Sequence, residues 1–151
     1  MSAAQTTWSA AISATLHCLT GCAIGEVLGM VLATWWDWGD VASIALAVVL
    51  AFFFGYLLTY SSVRRHGASH RQAVRLALAS DTISITSMEI IDNLLMLAIP
   101  GAMMAGLASA TFWLSLAISL VIAFVLTVPV NRWLISRGRG HAAIHQLHSH
   151  H

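Results

Sequence analysis

Long apolar runs alternate with short polar connections along this chain, and the runs predict four helices long enough to cross a bilayer. The first covers about residues 8–35 and is flanked by tryptophan at both ends. "WWDWGD" (35–40) follows; its tryptophans, aspartates and glycine read as an interfacial turn. The second run, 41–63, is almost unbroken, and its cluster of Phe52, Phe53, Phe54, Tyr56 and Tyr60 reads as packing surface. "RRHGASHR" (64–71) forms a basic loop. The third run, 72–99, ends at Pro100-Gly101 and is the least apolar, because Asp81, Ser84, Ser87, Glu89, Asp92 and Asn93 interrupt it. It still reads as a span: its polar residues recur at helical spacing and apolar residues fill the remaining faces. The fourth run covers about 110–135, with Pro129 expected to kink its last turns.

Composition narrows the fold class. Hydrophobic residues make up 58% of the chain and charged residues only 9%, against roughly 25% charged in a soluble domain. Mean hydropathy is +0.79. The expected fold is therefore all-α, an integral membrane bundle of four transmembrane helices. The chain contains no lysine, and its seven arginines fall in two places: Arg64, Arg65, Arg71 and Arg75, then Arg132, Arg137 and Arg139. The positive-inside rule puts both places, and with them both termini, in the cytoplasm. The N-terminus lacks a basic signal region, so the first run reads as a retained span. One four-span domain (1–140) precedes a His-rich cytoplasmic tail (141–151). Lipid is the expected surroundings, and no nucleic-acid partner is expected.

The chemistry lies in spans one and three. Cys18, Cys22, Glu26 and Met30 recur every four residues along one helix face, and Gly21, Gly25 and Gly29 form a small-residue stripe beside it. The stripe is expected to bring spans one and three into contact. Buried cysteines often serve only as small hydrophobes, but an apolar interface gains nothing from the carboxylate of Glu26. In span three, Asp81, Met88, Asp92 and Met96 share a face, with Glu89 on its shoulder. Asp81 reads as part of a bracing hydrogen-bond network. Glu89 and Asp92, three residues apart, read as a site: their carboxyl groups can approach each other, and both cannot stay ionised in a dry interior without a cation. Two thiolates, an imidazole and a thioether are soft donors. The expectation is a metal site of His17, Cys18, Cys22 and Met88, with Glu26, Glu89 and Asp92 balancing charge. Copper leads, and zinc is an alternative.

Three other readings stay open, one of them a scaffold subunit with no site of its own. Another is a redox protein, with haem on His17 and a methionine or with Cys18 and Cys22 cycling as a dithiol. The third is a proton- or cation-conducting bundle using Glu26, Glu89 and Asp92. His141, His145 and His148 share a face if the tail is helical, and form a secondary candidate metal site. Phosphate-binding loops, nucleophile elbows and paired zinc-protease histidines do not occur, so a binding or transport role is expected more than an enzyme. A protomer of this size is expected to oligomerise.

"HCLTGCAIGEVLGM", "MEIIDN", "PGAMMAG", "PVNRWLISRGRGHA" and the trailing histidines together resemble a bacterial family of small four-helix membrane proteins, domain of unknown function 4396. The resemblance covers about Trp8 to His148. It implies four spans in a bacterial inner membrane and implies no activity.

Overall fold

The computed structural model describes residues 3–137. Four α-helices make up the described chain, and no strand occurs among the described residues: α1 (Ala3–Trp35), α2 (Asp40–Arg65), α3 (His70–Ala98) and α4 (Ala110–Ser136). Their ends have local causes. After α1, Asp37 adopts φ 55°, and the N–H groups of Asp37 and Trp38 donate to the carbonyls of Thr34 and Ala33. This is a Schellman closure with aspartate where glycine is usual. Ser69 caps α3 in a reciprocal box with Gln72. The Pro100-Gly101 pair ends that helix, with Gly101 at φ 79°. Ser109 caps α4. That helix continues through Pro129 to Ser136.

Two short connections (36–39 and 66–69) and a longer one (99–109) make successive helices antiparallel. Each packs on the next, α4 closes the ring against α1, and α1 meets α3 across the diagonal. One end of the bundle therefore gathers the start of α1, the α2–α3 connection and the end of α4. All described arginines lie there, and the Arg132 guanidinium sits 4.2 Å from the Trp8 ring. At the same end Asn131 Nδ2 donates to Thr15 Oγ1 at 2.8 Å, tying α4 to α1.

The distribution of residue types is inverted relative to a soluble bundle. Inside are small and polar residues, among them Ala11, Ala51, Ala123, Ser84, Ser119 and Thr127. Outside are large aliphatic ones, including Ile12, Leu16, Val49, Leu57, Ile118 and Val125. The inversion is clearest in α3. Its inner face holds Ser80, Asp81, Ser84, Glu89 and Asp92, and its outer face shows Leu78, Ile83, Ile90, Leu94 and Leu97. The outward Thr82 and Thr86 return their hydroxyls to carbonyls four residues earlier. Three helices are long and apolar enough to cross a membrane: residues 8–35 of α1, α2 and α4. Helix α3 is not among them, because its inward face is polar.

The glycine stripe faces a different partner from the one expected. Gly21 lies against Gly55, Gly25 against Ala51 and Gly29 against Ala47, all on α2 rather than α3. Small residues on both helices, spaced every four, mesh in antiparallel register and bring the two backbones close. The short 36–39 connection brings α2 into that position. A Cβ added at Gly21 would stand 2.8 Å from the Gly55 Cα, one at Gly29 would stand 2.6 Å from the Ala47 Cα, and one at Gly25 would overlap the Ala51 backbone. Because backbone cannot swing aside as a side chain can, Gly25→Ala should cost about 1–3 kcal/mol or more. Thermal unfolding of purified protein should show a clearly lowered Tm for Gly25→Ala. Gly39→Ala, where nothing lies within 4 Å and only an N-cap preference is lost, should lower it far less; equal values for the two variants would mean that the helices are not in backbone contact.

Candidate functional site

The two helices that face each other across the diagonal run parallel, so residues ascending along α1 meet residues ascending along α3. Cys18 Sγ lies 3.0 Å from Ser84 Oγ. One turn further, the Cys22 thiol faces the Glu89 carboxyl. After another turn, the Glu26 and Asp92 carboxyl groups lie side by side within hydrogen-bonding reach. These three levels form a polar column about 12 Å long in helix rise. Asp81 extends it toward the arginine end, where Ser80 Oγ donates to its Oδ1 at 3.1 Å and Thr59 of α2 supplies another hydrogen bond. Asp81 is thus held by hydroxyl donors, as a bracing role requires.

The carboxyl groups higher in the column have fewer donors. Asn93 Nδ2 donates to the Glu89 backbone carbonyl at 2.8 Å and approaches Glu89 Oε2 at 3.3 Å. Glu89 Oε1, Glu26 Oε2 and Asp92 Oδ1 are buried and receive no donor from the described residues. The groups that act on these three acids are other acids, a thiol and an amide, with no basic side chain among them. Two carboxyl groups placed together in such surroundings require a proton or a cation between them. The pairing differs from expectation: Asp92 pairs with Glu26 across the helix interface rather than with Glu89 on its own helix. Parallel packing sets Glu26 at the level of Asp92 and Cys22 at the level of Glu89, and those contacts take up the two side chains.

Of the expected soft donors, Cys18, Cys22 and Met88 come together in one buried cluster with Ile85, Ala51 and Ala123. Both cysteines are free thiols. His17 is directed elsewhere: its half-buried ring hydrogen-bonds the Leu58 carbonyl of α2, since it stands one residue, about 100° of helix turn, from Cys18. Among the described residues no group of three or more histidine, cysteine, aspartate or glutamate side chains is arranged to hold a metal ion. The candidate tail ligands His141, His145 and His148 lie outside the described residues.

Two features were missed by sequence reasoning. Ser115, Ser119, Thr127 and Asn131 of α4 are all buried, and their spacing in multiples of four was an available signal. The second is a small cavity beyond the acid pair, bounded by Glu26, Met30, Asp92, Asn93, Met96 and Met103, with Phe112 and Leu116 closing it from α4. It has room for about one water. Met103 belongs to the loop after α3, where no periodicity could have pointed to it.

A four-helix bundle with an aliphatic exterior and an acid–thiol column through its core defines the structural class. Residues 7–140 match the family described as "Domain of unknown function (DUF4396)", and the chain belongs to that family. No curated protein and no solved structure matches it.

The parallel register is open to direct test. In a Cys22→Ser background, Ser84→Cys should form a disulfide with Cys18 on mild oxidation, because the two side-chain atoms already lie 3.0 Å apart and the bond needs a separation of about 2 Å. Ser87→Cys, whose native hydroxyl returns to the Ile83 carbonyl, should stay reduced. Thiol titration with and without reductant reads the outcome; cross-linking at 87 and not at 84 would overturn the register.

Proposed function

We propose that this protein is an integral membrane protein of the bacterial inner membrane that binds and relays protons or small cations through the α1–α3 column. The observation that carries the proposal is the Glu26–Asp92 pair, two buried carboxyl groups side by side with no donor to neutralise them. Ionisable groups are costly inside a membrane and mark ion or proton pathways when they face a bundle interior. The column, from Asp81 through Glu89 to Glu26 and Asp92, fits that pattern.

Membrane integration draws support from the outer surface. All six tryptophans stand at helix ends or in a connection: Trp8 and Trp133 toward the arginine end, Trp35, Trp36, Trp38 and Trp113 toward the other. Paired aromatic belts of this kind sit at membrane–water interfaces. Helix α3 then crosses as a fourth span, its outer face aliphatic and its polar face covered by the other helices. The arginine end is cytoplasmic by the positive-inside rule, and with it both termini. Self-association would extend the short relay into an assembly.

A second reading is favoured by a separate observation, the burial of the Cys18, Cys22 and Met88 sulfurs in one cluster. Three sulfur donors suit a soft ion such as Cu(I), and copper handling is the corresponding function. The neighbouring Glu89 would take up the proton that a thiol releases on metal binding.

One set of variants separates the two readings. In proteoliposomes with an imposed membrane potential, wild-type protein should pass protons, reported by an entrapped pH dye. Glu26→Gln should reduce the flux at least tenfold, as removal of a general acid–base group does, and Cys18→Ser/Cys22→Ser should leave it near wild type. If instead flux is absent from wild type and bound copper disappears with the two cysteines, the soft-metal reading replaces the proton relay.

A further inference from the structure

Three of the chain's six methionines, Met30, Met96 and Met103, border a single small cavity, together with Glu26, Asp92 and Asn93. They come from α1, α3 and the loop that follows α3, so tertiary folding alone brings them together. All three also belong to one apolar cluster around Phe112 and Leu116. Met104, next in sequence to Met103, is 92% exposed, so the cavity takes up one member of this pair and leaves the other outside.

We propose that this cavity is a binding site for a soft monovalent cation, with the thioethers of Met30, Met96 and Met103 as ligands and the Glu26–Asp92 pair as its counter-charge. Thioethers are neutral, soft donors that select ions such as Cu(I) over hard cations, and their flexible stems let the sulfurs adjust around a small ion. Neutral ligands alone cannot offset the ion's charge in a dry interior, so a buried anion must stand close by. Glu26 and Asp92 supply it: they are 4% and 1% exposed, both border the cavity, and Glu26 Oε2 and Asp92 Oδ1 accept no hydrogen bond from the described residues. Sharing one proton, the pair carries a single negative charge, which a monovalent ion neutralises. The space, sufficient for about one water, suits an ion that has shed its water shell.

This site is distinct from the Cys18–Cys22–Met88 cluster. It shares the acid pair with the proton relay but does not require proton transfer, so its test reads binding with no flux. Ag(I) in chloride-free buffer serves as a redox-inert probe. With wild-type protein carrying ¹³C-labelled methionine methyl groups, Ag(I) should shift the resonances of Met30, Met96 and Met103 and leave that of Met104 in place. Titration calorimetry on the Cys18→Ser/Cys22→Ser protein should retain one Ag(I) site. Its affinity should fall about tenfold or more in Met96→Leu, a nearly volume-conserving change that leaves the fold intact. Met104→Leu should match its parent. Shifts confined to Met88, or Ag(I) affinity unchanged by Met96→Leu, would overturn the proposal, and so would a wild-type spectrum unmoved by Ag(I). Loss of proton flux with Ag(I) binding intact would remove the relay and leave this site standing.

Discussion

Polar groups enclosed by an aliphatic shell have only one another to bond with, and the architecture of this bundle follows from that constraint. Its carboxyl and thiol groups are on α1 and α3, so those helices must face each other. They must also run parallel for Cys18, Cys22 and Glu26 to meet Ser84, Glu89 and Asp92 level by level. Two short connections and the intervening α2 meet this requirement, because a helix and the next but one in an up-and-down bundle point the same way. The tight α1–α2 hairpin, made possible by Gly21, Gly25 and Gly29, leaves α1 with its other face free to look across the diagonal.

That constraint also explains which parts of the structure could be read from the sequence. The helices follow from long apolar runs and from the stop at Pro100-Gly101; the Ser69 and Ser109 caps are seen only in the structure. The α3 segment is harder to read, because hydropathy averages over a helix that is polar on one side and aliphatic on the other. Its residue spacing, rather than its mean, carries the information. The column was legible for the same reason: Cys18, Cys22 and Glu26 repeat every four residues, and Asp92 with Met88 repeats on the facing helix. Spacing fixes a face but not the neighbour it meets. The glycine stripe was therefore assigned to α3, although Ala47, Ala51 and Gly55 form a matching stripe on the sequence-adjacent helix. Glu89 and Asp92 were likewise paired with each other, when the register with α1 gives each a different partner. The methionine cavity depends on Met103 in a loop, and no periodic pattern reaches a loop residue.

Within the column, chemistry changes from one end to the other. Toward the arginine end, Asp81 is held by hydroxyls from Ser80 and Thr59, and the Cys18 thiol meets a serine. These are settled contacts that tie helices together. Toward the other end, Glu89, Glu26 and Asp92 lose donors in succession, and the cavity opens beside the last pair. Unsatisfied buried acceptors cost stability; besides these carboxyl oxygens, the Ser119 and Thr127 hydroxyls of α4 are buried without a hydrogen bond among the described residues. In the proposed function, a bound proton or cation at Glu26 and Asp92 would supply the missing partner.

A proton shared between Glu26 and Asp92 would be directly visible by infrared spectroscopy of the purified, cation-free protein at neutral pH. A protonated carboxyl group absorbs apart from an ionised one, and its band moves in deuterated water. The account predicts such a band in the wild-type protein, moved in frequency by Glu26→Gln and by Asp92→Asn, because each substitution replaces a carboxyl group to which the shared proton is bonded. A wild-type spectrum with every carboxyl ionised, or a protonated-carboxyl band that survives both substitutions unchanged, would contradict it.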